Sequence, residues 1–78
     1  MKVKTVSISL NSIDKVKSFV NAISKFDNDF DLVSGRYVID AKSIMGIFSL
    51  DISKPIRLDA HTDNADAFFA DIKDYIVE

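Results

Sequence analysis

The stretch Ala41-Lys42-Ser43-Ile44-Met45-Gly46-Ile47-Phe48-Ser49-Leu50 is where the rhythm of the chain changes. Before it, Tyr37, Ile39 and Ala41 share one parity of an extended segment that runs from Arg36 to Ala41. After it, Ser53-Lys54-Pro55 punctuates before alternation resumes. Between these limits Ile44, Ile47, Phe48 and Leu50 recur at helical spacing, and Ser43 stands where a hydroxyl can cap the first turn. Such a cap stabilises a short helix by about 1 kcal/mol. A helix this short cannot bury all its apolar residues. Ile47 and Leu50 are expected to face inward. Ile44, Met45 and Phe48 are expected to lie at least partly outward, as an apolar patch suited to a protein partner. Methionine in such a patch adapts to several partners.

Working outward, Lys2 to Leu10 alternates, with Val6, Ile8 and Leu10 on one side and Thr5, Ser7 and Ser9 on the other, as a half-buried strand does. Asn11 or Ser12 then caps an amphipathic helix whose inner stripe is Ile13, Val16, Phe19, Val20, Ile23 and Phe26. Asp27-Asn28-Asp29 ends it. Phe30 and Leu32 open a short strand, Ser34-Gly35 turns the chain, and Arg36 to Ala41 completes a hairpin. Beyond the short helix, Ile56, Leu58 and Ala60 alternate with Arg57, Asp59 and His61. Thr62-Asp63 caps a last helix with the stripe Ala65, Phe68, Phe69, Ile72, Tyr75 and Ile76, and Asp63 and Asp66 suit its positive end.

The order is therefore βαββαβα over residues 1–78, a single domain. The economical packing is an α+β two-layer open-faced sandwich, a four-stranded antiparallel sheet with the helices on one face. Thr5, Ser7, Ser9, Arg57 and Asp59 suit the uncovered face.

Composition narrows the function classes. The chain has no cysteine and one histidine, so thiolate and multi-histidine metal sites are unavailable, and no metal or cofactor is expected. Ten basic against twelve acidic residues leave a net charge of −2, without the clustered basic footprint of a nucleic-acid binder. No apolar run approaches a bilayer span and no signal-peptide core opens the chain, so no membrane partner and a cytoplasmic location are expected. Two glycines cannot build a phosphate-cradling loop. The acidic run Asp27, Asn28, Asp29 and Asp31 lacks the glycine and closing glutamate of a calcium loop. No nucleophile stands with a base, and the chain is not expected to be an enzyme.

The segment Lys42-Ser43-Ile44-Met45-Gly46, with the element order around it, resembles HPr, the small phosphocarrier family of the bacterial sugar phosphotransferase system. Members carry a very similar Lys-Ser-Ile-Met-Gly run leading into a short second helix. The resemblance implies that Ser43 is a regulatory phosphorylation site and that the Ile44, Met45 and Phe48 patch docks protein partners. It also implies a phospho-acceptor histidine after the first strand, in the pattern Gly-x-His-x-Arg-Pro. There, free amides at a helix start stabilise the phosphoryl group. The corresponding stretch here is Leu10-Asn11-Ser12-Ile13-Asp14-Lys15-Val16. Ser12 falls near the histidine position, and Asp14 and Lys15 fall where arginine and proline would stand.

A serine phosphate is too stable an ester to hand its phosphoryl group onward, and a carboxylate at Asp14 repels an incoming one. His61, of outward strand parity, reads as a solvated histidine. The resemblance therefore implies a degenerate HPr-like protein. It would be a monomeric regulatory or protein-binding module of the kind that acts in carbon catabolite control, with Ser12 and Lys15 joining the docking patch. Its partner would be a kinase, a transcriptional regulator or a phosphotransferase component. Two other functions fit the same sequence: a phosphocarrier with a non-standard acceptor, and a small-ligand-binding domain whose open face uses Ser7, Ser9 and Arg57.

Overall fold

In the computed structural model, which describes residues 3–62 and 66–77, the elements are β1 (Val3–Ile8), α1 (Ile13–Ile23), β2 (Asp29–Ser34), β3 (Tyr37–Asp40), α2 (Ile44–Phe48), β4 (Ile56–His61) and α3 (Asp66–Ile72). A 3-10 turn over Lys73–Tyr75 follows α3. The strands form one antiparallel sheet in the order β1-β4-β2-β3. This is the expected α+β open-faced sandwich.

The register explains which residues meet. Val6, Leu58, Leu32 and Ile39 lie in one row across the sheet, and Ile8 faces Ile56. These side chains share the face on which Val16, Phe19, Val20, Ile23, Ile47, Phe68 and Ile72 of the helices are buried, and all belong to one apolar cluster. Burying a side chain of this size stabilises the fold by about 1.5–3 kcal/mol. The opposite parity puts Thr5, Asp59, Asp31 and Asp40 in a row on the uncovered face.

Local chemistry sets the boundaries. Ser12 caps α1 with extended backbone (φ −150, ψ 159), and its hydroxyl accepts from the Lys15 amide at 3.2 Å. The helix closes at Ser24, whose hydroxyl donates to the Val20 carbonyl at 2.6 Å. The β2–β3 hairpin turns on Gly35 and Arg36, with Ser34 paired to Tyr37. Gly35 has φ of 59 and no non-glycine residue among those described has positive φ, so only the first turn position is left-handed, as in a II′ turn.

The structure corrects several boundaries. β1 starts at Val3 and ends at Ile8, so Ser9 and Leu10 lie past it. Lys2, expected to begin the strand, lies outside the described residues, as do Asp63 of the expected last cap and Ala65 of the expected last stripe. Ile13 is 58% exposed and stands off the buried stripe of α1. The reason is its position one residue after the cap, before the helix has turned its inner face to the sheet. Phe26 lies beyond α1, with its ring edge-on to Phe30 and Phe68.

The largest correction is at the C-terminus. The expected last α-helix stops at Ile72, Tyr75 ends the 3-10 turn that follows it, and Ile76 is extended. The chain instead closes on the outer edge of β1. Ser9 donates its amide to the Tyr75 carbonyl at 2.8 Å, Val77 donates to Ser7 at 3.0 Å, and Ile8 bridges Ile76. Pairing that edge satisfies backbone groups that would otherwise stay open.

Candidate functional site

Two serine-capped helix starts lie on the covered side of the sheet, where α1 and α2 pack against each other. At α2, Ser43 has extended backbone (φ −96, ψ 106), and its hydroxyl accepts from the Gly46 amide at 3.1 Å. Gly46 is the residue that makes this close turn possible. A Cβ there would meet Ser43 Oγ at 3.2 Å and Ile39 Cδ1 at 3.3 Å, so a side chain would press on the cap and on the strand below together. At the far end of the helix Ser49 donates its hydroxyl to the Gly46 carbonyl at 2.5 Å. Five helical residues are thus held by a hydroxyl at each end and by Ile47, which is fully buried.

The outward residues of α2 fall where the sequence puts them. Met45 is 80% exposed, Phe48 39% exposed, and Ile44 is half-buried against the core, while Ile47 and Leu50 are inward. Ser12 and Lys15 are exposed on the first turn of α1, with Asp14 between them. The structure therefore groups Ser43, Ile44, Met45 and Phe48 on one short helix and Ser12 with Lys15 on its neighbour.

Sequence reading missed the role of Lys42. Its ammonium donates to the Phe26 carbonyl at 2.6 Å and lies 5.5 Å from the centre of the Phe30 ring. The lysine next to Ser43 is thereby tied to the segment between α1 and β2. Nothing in the spacing marks this contact, because the partner carbonyl lies sixteen residues upstream.

His61 is the one imidazole of the chain. It lies on the uncovered face, in register with Val3 and Asp29, and its Nε2 is 2.8 Å from Asp31 Oδ2. The expected solvated histidine is instead held by a cross-strand carboxylate. The chain reaches Ser12 from the Ile8 end of β1, and Ile8 faces Ile56, whereas His61 faces Val3. At about 3.4 Å per strand residue the imidazole stands about 17 Å along the sheet from that end, and on the opposite face.

The open face also differs from the expected ligand surface. Asp59 accepts from Thr5 at 2.9 Å and pairs with Arg57 at 3.1 Å. Its concave part is a cleft of about 340 Å³ lined by Asp29, Phe30, Asp31, Asp40 and His61, and not by Ser7, Ser9 and Arg57. Among the described residues one carboxyl is clearly perturbed. The Ser53 hydroxyl, and then its amide, hold Asp51 below the ordinary carboxylate range.

The architecture with its serine-capped short helix defines a class, the HPr-like open-faced sandwich. HPr-C-His from Thermoanaerobacter tengcongensis superposes with a TM-score of 0.74 at 29% identity, over 95% of this chain and 89% of that one. The phosphocarrier protein HPr from Bacillus anthracis str. Ames superposes with a TM-score of 0.75 at 26% identity, over 97% and 96%. The family model described as PTS HPr component phosphorylation site matches residues 15–78. The chain belongs to the HPr family, the phosphocarrier proteins of the phosphotransferase system. No curated protein sequence matches it. No helix among the described residues is long and apolar enough to cross a membrane.

Proposed function

We propose that this chain is an HPr-family protein that does not carry phosphoryl groups. It works in the cytoplasm as a regulatory or binding module, with Ser43 as its modifiable residue and Ile44, Met45 and Phe48 as its partner-facing patch. One observation carries the reading: the mouth of α1 holds Ser12 beside Asp14, while the chain's imidazole lies on the other face of the sheet, paired with Asp31.

A carrier needs an acceptor whose phosphoryl bond is labile, and an imidazole provides it. A serine ester at Ser12 would keep its phosphate, and Asp14 in the first turn of the helix disfavours a second negative charge there. Ser43 answers a different requirement. Its hydroxyl already caps α2, and a phosphate on it would add acceptor oxygens beside the same amide without unfolding the turn. The exposure of Met45 and Phe48 leaves apolar surface next to that serine for a protein partner.

The intact mass of the protein from its native host, grown on a preferred sugar, tests this. The expected result is a gain of one phosphate that survives acid and is absent from Ser43→Ala. A gain that acid removes would refute the reading.

A further inference from the structure

We propose that the free edge of β3 pairs with the same edge of a second copy, antiparallel and about a two-fold axis, setting Val38 against Val38 and Arg36 against Asp40. This goes beyond the proposed function and does not depend on it, since β3 lies at the margin of the sheet and Ser43 at the start of α2.

The two margins of the sheet are finished differently. At β1 the C-terminal segment covers the Ile8 end through the Tyr75 and Val77 bonds. At β3 no described strand follows, and Tyr37 and Val38 are 69% and 63% exposed. The segment carries neither proline nor lysine, the residues that commonly protect such an edge.

Hairpin geometry says which backbone groups face outward. In a two-residue hairpin the closing pair, here Ser34 and Tyr37, exchanges hydrogen bonds, and such pairs alternate along the ladder. Tyr37 and Ile39 therefore turn their amides to β2, and Val38 turns its N–H and C=O to the open edge. Two copies centred on Val38 exchange those groups directly. Pairing ends at Asp40, whose carbonyl already accepts from the Ser43 amide at 3.0 Å.

Charge selects the register. Asp59, Asp31 and Asp40 are direct cross-strand neighbours on the uncovered face, and like charges so placed oppose the sheet. Asp59 has Arg57 at 3.1 Å, and Asp31 has the His61 ring, a cation only when protonated, at 2.8 Å. Among the described residues Asp40 has no cation within ion-pair distance, its carboxylate accepting from the Lys42 amide at 2.9 Å. Arg36, two residues before Val38, makes no ion pair among the described residues either. The Val38-centred register brings each Arg36 opposite the Asp40 of the other copy, and two-fold symmetry makes the pair twice. Centring on Tyr37 or Ile39 makes neither pair.

The contact is small beside a standard interface, so the chain is a monomer when dilute, as its sequence suggests, and pairs only when concentrated. Sedimentation velocity of the full chain in low salt, from dilute solution to about 1 mM, reads this directly. The apparent mass is expected to rise towards twofold, with concentration-dependent amide shifts centred on Arg36, Val38 and Asp40. Arg36→Glu and Asp40→Lys are each expected to stay monomeric over that range. An equimolar mixture of the two is expected to associate again, because both cross-copy pairs become attractive. If Asp40→Lys does not fold, Asp40→Asn, which can still accept from the Lys42 amide, serves as the variant that loses association. A wild-type chain that stays monomeric throughout would overturn the proposal. So would association undiminished in either charge variant, or a mixture of two folded variants that does not associate.

Discussion

Ser12 Oγ accepts from the Lys15 amide at 3.2 Å and Ser43 Oγ accepts from the Gly46 amide at 3.1 Å, so α1 and α2 begin on the same device. Their surroundings differ. Ser12 opens an eleven-residue helix that stands on four buried side chains, and Asp14 lies in its first turn. Ser43 opens five residues fixed by one buried isoleucine, a second hydroxyl at Ser49, and a glycine that nothing larger replaces without pressing on the cap. One start rests on its helix, whereas the other is a small display held from both ends. A phosphate at the second has exposed apolar neighbours in Met45 and Phe48, and the first has no imidazole with which to pass a phosphoryl group on.

The comparison breaks most visibly if α2 does not hang on Ile47. Ile47→Ala is expected to lower stability by about 2–5 kcal/mol, a large share of what a domain this small possesses. Met45→Ala, on the outward side of the same helix, should stay within about 0.5 kcal/mol of wild type. Urea titration of both variants checks the pair, and equal losses would mean that the patch is core.

The two caps come next. Ser12→Ala and Ser43→Ala are each expected to cost about 1 kcal/mol, since each removes one acceptor for one amide. They separate under a serine kinase and ATP, where only Ser43→Ala should lose the acid-stable label. Retention of the label in that variant would move the modifiable residue elsewhere.

The smallest effect concerns the chain just after α2. The Ser53 hydroxyl and amide hold Asp51 below the ordinary carboxylate range. A carboxyl whose folded value is depressed stabilises the fold above its unfolded value, and that contribution is lost as pH falls through the folded one. Asp51→Asn is therefore expected to be slightly less stable than wild type at neutral pH and indistinguishable from it in strong acid. Thermal melts across the acid range, with an NMR titration of Asp51, check the sign.

Much of this was legible in the chain itself. The parity of Val6, Ile8, Leu58 and Ala60 gave the sheet its inner face, and the spacing of Val16, Phe19, Val20 and Ile23 gave α1 its own. The run from Lys42 to Leu50 was enough to divide Ile47 from Met45. What could not be read depends on neighbours distant in sequence. Tyr75 and Ile76 continue a helical period, yet the open edge of β1 offers them backbone partners that no local pattern announces. The same holds for the Lys42 contact with the Phe26 carbonyl, and for His61, whose parity correctly put it outward but whose partner Asp31 emerges only from the order β1-β4-β2-β3. Of the candidate site, the Ser43 cap and the outward patch were visible in advance and the α1 cap was narrowed to Asn11 or Ser12, while the tether beside Ser43 was not.

The most direct test asks whether this scaffold relays phosphate. The purified chain is incubated with phosphoenolpyruvate, Enzyme I and magnesium, and its mass is read before and after acid. The account predicts no acid-labile phosphoryl adduct. An adduct that forms, disappears in acid and passes to a sugar permease component would contradict it.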